Sequence, residues 1–401
     1  MKIKDIRTAE IQANFSWNLI RVYSDTGLVG LGEADWGPGV MDVVAALKTI
    51  LVGEDPFDVD RLWTKMMYGH LDVGPHRMRT MEGQDIYDRY GMSAPGSVAG
   101  ATVAAISGIE IALLDLVGKA LKTPVYQLLG GKFRERVRVY ADSHAGETHD
   151  ADAWCRRAAK VLAGGFDAIK FDVDDIAPEL QLDGYNRALT NRAIDRIVDV
   201  VSAVRDELGP DVDLALDCHW QYNVTDAIRL ANALEPLRLF WLEDPTPPDN
   251  ADAMAQVRAA TSTVICTGEN LYTRHGFRHF IERGACDIIQ PDIPRCGGLL
   301  ESKRIADLAD MHYVPFAAHN VCSPVGTVAS AHCCAAIRTF TVLEFHAQDI
   351  PWWDDMVTQT EPIIHNGYIA LRDAPGLGLE LNDDVCRKHV KVGGDYFGEA
   401  V

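Results

Sequence analysis

The sequence predicts an α/β protein: a (β/α)8-type TIM barrel with an α+β N-terminal capping domain that the C-terminal tail completes. From about residue 137, eight short runs rich in β-branched residues alternate with amphipathic stretches, which is typical of parallel βα units. The later runs end in polar residues at intervals of 23 to 27 residues, the length of one strand, one helix and two loops. Eight such units close a TIM barrel.

Each element follows from its local pattern. Strands of the barrel are predicted at 137–142, 168–173, 213–218, 239–244, 264–269, 287–292, 313–319 and 341–346. Before them, 19–23 and 28–34 flank Asp25-Thr26-Gly27 and predict a β-hairpin, because Asp and Gly tolerate the backbone of tight turns. Apolar spacing predicts helices at 42–52, 57–68 and 98–121.

These elements divide the chain into three parts. Residues 1–130 form the capping domain, 131–372 the barrel, and 373–401 a tail that begins near Pro375-Gly376-Leu377-Gly378 and is predicted to pack back on the capping domain. Residues 70–97, rich in Gly, Pro, Met, His and Asp, form either a lid-like insertion or a disordered one.

Composition excludes several classes of function. The 401 residues are 47% hydrophobic, and 38 Lys and Arg against 58 Asp and Glu give a net charge of −20, so neither nucleic acid nor a membrane surface is expected as a partner. Charges interrupt the apolar run 98–121, and no apolar core of signal length follows the first residues, so we expect a cytoplasmic protein. The 9 Cys lack a CxxC pair, so neither a zinc ribbon nor a disulfide framework is indicated.

Three consecutive predicted strands end in carboxylates: Asp217, Glu243 and Glu269. Barrel enzymes place catalytic groups at these ends, so the three side chains would converge. Together they would repel one another unless they bind a hard divalent cation, for which we predict Mg²⁺. The alternative is that single members cap helices or pair with Arg.

Two histidines complete a candidate reaction site. His219 follows Asp217 by two residues and so lies on the same side of an extended segment, within reach of a bound substrate or as a further metal ligand. Asp292 and His319 end adjacent strands, and a carboxylate that fixes the imidazole tautomer would make His319 a general base, unless the pair is structural. Glu344 ends the eighth strand on the rim, to bind substrate or bridge to a neighbour.

The second strand ends in Lys170-Phe171-Asp172, which places Lys170 and Asp172 on the cavity face and Phe171 outward. Lys170 is expected to neutralise a substrate carboxylate and Asp172 to contact substrate. An ion pair between the two is the alternative.

With these residues in place, the sequence resembles the enolase superfamily, within it the mandelate racemase group, and most closely the acid-sugar dehydratases of the galactonate type. The resemblance covers nearly the whole chain. It is carried by Thr26-Gly27 to Gly32-Glu33-Ala34, Asp115-Leu116-Val117-Gly118-Lys119 with Leu128-Leu129-Gly130-Gly131, Trp241-Leu242-Glu243-Asp244-Pro245, Gly268-Glu269, Gln290-Pro291-Asp292, Cys296-Gly297-Gly298 and Pro375-Gly376-Leu377-Gly378.

The resemblance implies a role for each of these groups. The family's metal ligands fall on Asp217, Glu243 and Glu269, its His–Asp dyad on His319 and Asp292, its rim glutamate on Glu344 and the dehydratase acid on His219. The implied reaction is Mg²⁺-dependent removal of the proton α to a sugar-acid carboxylate and loss of the 3-hydroxyl, giving a 2-keto-3-deoxy acid. The hairpin near Trp36 and the 70–97 segment resemble specificity loops, which makes Trp36 a candidate substrate contact, and the family implies a homo-oligomer, from dimer to octamer.

Two alternatives stay open. A racemase or epimerase needs a second base, commonly the last Lys of a Lys-x-Lys pattern, and this sequence has Asp172 at that position. A non-catalytic, regulatory metal-binding relative is the alternative of another class. The sequence keeps every predicted metal ligand and the predicted base, although burying their charges costs stability. This argues against a non-catalytic relative. The neighbouring mannonate dehydratases share the Asp-x-His pattern but typically lack a partner like Asp292.

Overall fold

A computed structural model describes residues 1–68, 99–145, 150–174, 176, 180, 185–186 and 188–400. It confirms the predicted fold class: a closed barrel of eight parallel strands stands beside a separate antiparallel sheet. The predicted insertion at 70–97 lies outside the described residues.

The barrel strands follow one another around the barrel in chain order, and the last pairs with the first to close it. They are β4 (Arg136–Ser143), β5 (Ala168–Asp172), β6 (Asp213–Asp217), β7 (Trp241–Glu243), β8 (Ile265–Thr267), β9 (Ile288–Ile289), β10 (Phe316–Ala318) and β11 (Phe340–Phe345). The helices between them are α5 (Ala151–Ala163), α6 (Asn191–Leu208), α7 (Val224–Leu234), α8 (Ala251–Ala259), α9 (Thr273–Glu282), α10 (Ile293–Cys296), α11 (Leu299–Met311) and α12 (Pro324–Ala335). Short 3₁₀ turns lie at Glu235–Leu237 and Asp354–Met356.

One buried cluster fills the inside of the barrel, and each strand contributes one residue to it. The members are Tyr140, Ala168, Ala215, Trp241, Cys266, Ile288, Ala317 and Val342. The two large rings meet edge to face with centroids 5.4 Å apart, and small residues on neighbouring strands make room for them. The polar residues at the strand ends lie directly above this layer.

The capping domain is a five-stranded antiparallel sheet with helices packed against it. Its elements are β1 (Ile3–Gln12), β2 (Ser16–Ser24), β3 (Val29–Ala34), α1 (Val40–Leu51), α2 (Val59–Tyr68), α3 (Ala101–Leu121) and α4 (Val125–Leu128). In the C-terminal region, β12 (Ile364–His365) and β13 (Tyr368–Ala370) form a hairpin that pairs with β4 of the barrel. They are followed by α13 (Asp383–Lys388), β14 (Asp395–Tyr396) and β15 (Glu399–Ala400). Strand β14 pairs with β1, so the tail extends the capping sheet.

Helix α3 forms the core of the capping domain. Among the described residues it is the helix long and apolar enough to cross a membrane, yet 89% of its apolar window is buried inside the protein. Strand β3 lies directly on it: a Cβ added at Gly32 would stand 2.3 Å from the carbonyl oxygen of Gly108. The two glycines therefore permit the close packing that fixes β3, and with it Glu33, against the barrel.

Buried carboxylates of the capping domain bind backbone N–H groups of the barrel. Glu33 accepts hydrogen bonds from the N–H groups of Ser323 (2.9 Å) and Gly326 (2.8 Å) at the start of α12. Glu110 accepts from Leu299 (2.8 Å) and Leu300 (3.0 Å) at the start of α11. Helix N-termini present unpaired N–H groups and a positive dipole, so these contacts hold the two domains in one arrangement.

We expect Glu33→Gln to lower the free energy of unfolding by about 1–3 kcal/mol, because its amide nitrogen would face a buried donor that the carboxylate now satisfies. Urea unfolding followed by near-UV circular dichroism measures the change. Glu380→Gln is the control, because the Glu380 side chain is 69% exposed and its loss should matter by less than about 0.5 kcal/mol. Equal effects of the two changes would contradict the role given to Glu33.

Candidate active site

A cavity of about 590 Å³ opens where the barrel strands end beneath the capping domain. Seven of the ten site residues predicted from the sequence line it: Trp36, Lys170, Asp172, Asp217, His219, Glu269 and His319. The other three, Glu243, Asp292 and Glu344, are fully buried and lie behind the lining residues. The cavity is therefore the place where the predicted site residues meet.

Strand register brings the metal-ligand candidates together. Asp172, Asp217 and Glu243 are direct cross-strand neighbours on β5, β6 and β7. Glu269 follows the end of β8 by one glycine, Gly268, whose φ of 149° is outside the usual range of other residues. One carboxylate oxygen each from Asp217, Glu243 and Glu269 lies within 4.8 Å of the others.

This donor set fits a hard divalent cation. Three buried carboxylates supply oxygen ligands from one side, and the cavity leaves the opposite side open to water or substrate oxygens. Burial and the charge of Asp217 raise the pKa of Glu243 well above its usual value, which shows how much the cluster needs positive charge.

Lys170 supplies much of that charge. Its Nζ lies 3.0 Å from Glu243, 3.0 Å from Glu344 and 3.2 Å from Asp217, and its residue is 1% exposed. Burial alone would lower the pKa of Lys170, but Glu243 and Glu344 raise it well above the usual value, so the ammonium stays protonated. The expected pairing was with a substrate carboxylate or with Asp172. In the structure Lys170 pairs with the metal-ligand candidates and Glu344 and not with Asp172, and its pairing with a substrate carboxylate stays a prediction.

His319 is fixed by carboxylates on both ring nitrogens. Nδ1 lies 2.7 Å from Asp292 and Nε2 lies 2.8 Å from Glu269. Burial opposes a charge on the ring, but Glu344 and Glu269 raise the pKa of His319 well above its usual value. Asp292 binds Nδ1 on the side away from the cavity, and Nε2 faces the cavity.

His219 lies on a strained turn on the other side of the carboxylate triad. It and Trp220 have φ angles of 41° and 52°, an uncommon backbone region for residues other than glycine. The turn aims Nδ1 at Asp174 (3.1 Å) and leaves Nε2 towards the cavity, 3.9 Å from Asp217. Burial alone would lower the pKa of His219, but the bond to Asp174 and the charge of Asp217 raise it to about 11, so the ring is protonated at neutral pH.

The position of Glu344 corrects the prediction that it stands on the rim. It is completely buried, it accepts a hydrogen bond from the backbone N–H of Asn320 (3.1 Å), and it contacts Lys170 and His319 from below. Because β11 pairs with β4 here at Tyr140, one layer down in the barrel, Glu344 lies deeper than a strand end normally would. Its carboxylate lies 3.0 Å from Nζ of Lys170 and 3.7 Å from Nε2 of His319.

Sequence reasoning missed several cavity residues. Arg295, 2.6 Å from Asp35, joins the barrel to the capping domain across the cavity wall. Asp142, His144 and His346 line the cavity from the ends of β4 and β11. The strand-end rule that selected Glu344 would have selected His346 as well, whereas pairing of Asp35 with Arg295 has no local sequence signal.

The fold and this site agree with two family models. One, described as "Enolase C-terminal domain-like", matches residues 153–385, and the other, "Mandelate racemase / muconate lactonizing enzyme, N-terminal domain", matches residues 7–130.

Individual relatives cover nearly the whole chain. A D-xylonate dehydratase of Haloferax volcanii is 44% identical over 399 residues, 99% of this chain and 91% of the relative. A D-galactonate dehydratase of Variovorax paradoxus is 32% identical over 96% of this chain and 93% of the relative. The crystal structure of a mandelate racemase/muconate lactonizing enzyme-like protein from Rubrobacter xylanophilus superimposes with a TM-score of 0.88 at 43% identity and covers 99% of both chains.

We expect EDTA-treated protein to bind one divalent cation, measured by isothermal titration calorimetry with MgCl2 and MnCl2. Asp217→Asn should weaken binding by at least about tenfold, because even changes in residues that merely support metal ligands cost about 10- to 100-fold. Asp211→Asn, on an exposed turn at the opposite end of β6, is the matched control. Equal affinities for the two variants would rule Asp217 out as a ligand.

Proposed function

Since the chain belongs to the mandelate racemase/muconate lactonizing enzyme family of the enolase superfamily, we propose that it is a Mg²⁺-dependent hydro-lyase acting on a sugar acid. The observation that carries the proposal is the pair of imidazoles on either side of the carboxylate triad. His319 contacts Glu269 at one end of the triad, and His219 approaches Asp217 at the other. A base and an acid that face one cavity suit the removal of a proton and a hydroxyl from neighbouring carbons.

His319 is the base. Its Nε2 takes the proton from the carbon α to the substrate carboxylate, while Asp292 holds Nδ1 and stabilises the imidazolium that forms. When bound, Mg²⁺ would be held by Asp217, Glu243 and Glu269. Its positive charge would offset the effect of these carboxylates on His319 and would stabilise the negative charge that develops on the substrate. The electron pair of the broken C–H bond forms the C=C bond of the enolic acid.

His219 is the acid. Its Nδ1 is held by Asp174, so Nε2 carries the proton that goes to the departing 3-hydroxyl. The C–O bond breaks, water leaves, and the resulting enol tautomerises to the 2-keto-3-deoxy acid. Protonation of the ring at neutral pH, set by Asp174 and Asp217, suits a donor of this kind.

A racemase or epimerase needs a second neutral base opposite His319. Lys170 is buried among carboxylates that keep it protonated, and Asp172 is held by His144 (3.3 Å). These contacts favour elimination over two-base proton exchange.

The substrate is an aldonic acid in this proposal. Relatives named as dehydratases act on D-xylonate, D-gluconate and D-galactonate, and these acids share a carboxylate with hydroxyls on the second and third carbons. The wild-type enzyme with Mg²⁺ should convert at least one of the three to a product that reacts with semicarbazide. EDTA should abolish the activity and added Mg²⁺ should restore it. Conversion of none of these acids would overturn the proposed function.

We expect His319→Asn to abolish exchange of the substrate α-proton with D2O, because Asn lacks a nitrogen that can take up the proton. ¹H NMR of the acid during incubation measures the exchange. His312→Asn, on an exposed position, should exchange at the wild-type rate. Exchange at that rate in His319→Asn would remove His319 from the mechanism.

We expect His219→Asn to lower the rate of keto-acid formation by about 10²- to 10⁴-fold, the usual contribution of a positioned acid. Exchange of the α-proton should persist, because His319 and Asp292 are untouched. Parallel semicarbazide and NMR assays separate the two steps. Loss of both steps to the same extent would show that His219 is not specific to the loss of the hydroxyl.

A further inference from the structure

We propose that Asn14, His346 and His144 form a directed hydrogen-bond chain from the capping domain to Asp172, and that this chain positions Asp172 to hold the leaving hydroxyl beside His219. The inference rests on the proposed function and assigns positioning residues to its second step. Asn14 lies in the turn between β1 and β2, His346 follows β11, and His144 follows β4. The chain therefore crosses from one domain to the other.

The direction of the chain is set at Asn14. Its Nδ2 lies 3.3 Å from the backbone carbonyl oxygen of His346 and 3.0 Å from Nδ1 of the same residue. A carbonyl oxygen can accept but not donate, so the amide nitrogen, with its two protons, must face His346. Nδ1 of His346 is then an acceptor, and the proton of this ring is on Nε2.

The burial of His346 agrees with this tautomer. Its side chain is 11% exposed, and Phe15 packs edge-on against the ring with centroids 5.0 Å apart. Burial lowers the pKa of His346 to about 3, so the ring is neutral and one nitrogen can accept.

The next two links follow from the first. Nε2 of His346 lies 3.0 Å from Nε2 of His144. Because Nε2 of His346 carries a proton, it donates the hydrogen bond and Nε2 of His144 accepts it. With Nε2 as the acceptor, the proton of His144 is on Nδ1, which lies 3.3 Å from Oδ2 of Asp172, and this contact raises the pKa of His144. Asp142 lies 3.5 Å from Nε2 of His346, farther than Nε2 of His144 at 3.0 Å, and flanks this link.

The chain leaves the second oxygen of Asp172 for the substrate. Asp172 is 8% exposed, and its Oδ1 has no hydrogen-bond partner among the described residues. This oxygen lies 4.0 Å from Nε2 of His219. A hydroxyl oxygen placed about 2.8 Å from both atoms fits between them, donating to Asp172 and accepting from His219.

The two chemical steps are therefore held by separate contacts. The base His319 is oriented by Asp292, whereas the leaving hydroxyl depends on Asp172 and, through it, on Asn14 in the other domain. Breaking the chain should slow the loss of hydroxyl while proton removal continues. The enolic form then takes a proton back from His319 more often before it loses water.

The test measures this partition in D2O with Mg²⁺ and whichever of D-xylonate, D-gluconate and D-galactonate the wild-type enzyme dehydrates. The readout is the ratio of exchanged α-protons to keto acid formed. Asn14→Ala and His346→Leu should raise the ratio by at least about tenfold, a fraction of what a positioned acid contributes. His346→Gln, which keeps an N–H near the position of Nε2, should return the ratio towards the wild-type value. Gln12→Ala, an exposed change in the same hairpin, should leave it unchanged.

A ratio that stays at the wild-type value in Asn14→Ala and His346→Leu, with folding intact, would overturn the positioning role. So would an equal loss of both steps, which a merely structural defect would produce. If the wild-type enzyme dehydrates none of the acids, the proposed function fails. The hydrogen-bond chain can then still be tested without substrate, by locating its protons. Neutron diffraction from crystals grown in D2O should place deuterons on Nε2 of His346 and Nδ1 of His144, and a deuteron on Nδ1 of His346 would overturn the chain.

Discussion

The contact between Lys170 and the carboxylates at the strand ends is the interaction on which the rest of the site depends. Three metal-ligand candidates and Glu344 are buried together, and each carboxylate loses most of its hydration there. One fully buried ammonium stands within 3.2 Å of Asp217, Glu243 and Glu344. Without it the buried carboxylates would repel one another more strongly and would take up protons more readily.

The same electrostatic need shapes both sides of the cavity. His319 lies 2.8 Å from Glu269, and His219 lies 3.9 Å from Asp217 and 3.1 Å from Asp174. One cluster of carboxylates thus keeps two imidazoles oriented and protonatable, although they lie on different strands. In the proposed reaction, the side of the substrate that each ring faces decides which of them removes a proton and which donates one.

The capping domain belongs to the site because buried carboxylates, and the exposed amide of Asn14, connect it to the barrel. Glu33 and Glu110 bind the starts of two barrel helices, Arg295 reaches back to Asp35, and Asn14 meets His346 at the cavity. Buried polar groups tolerate few alternative partners, so these contacts specify one seating of the two domains. The pair of Asp35 and Arg295 that helps to seat the capping domain therefore also forms part of the cavity wall.

The sequence by itself determined the barrel, the hairpin and the carboxylates at the strand ends, because strand periodicity and the rule that parallel strands end at one face are local and general. Tertiary structure decided what each group contacts. Lys170 pairs with the metal-ligand candidates, and Glu344 is buried, because register between strands sets depth in the barrel and no local pattern encodes it. Asn14 and His346 are 332 residues apart and meet because the two domains pack together, so only the folded chain joins them.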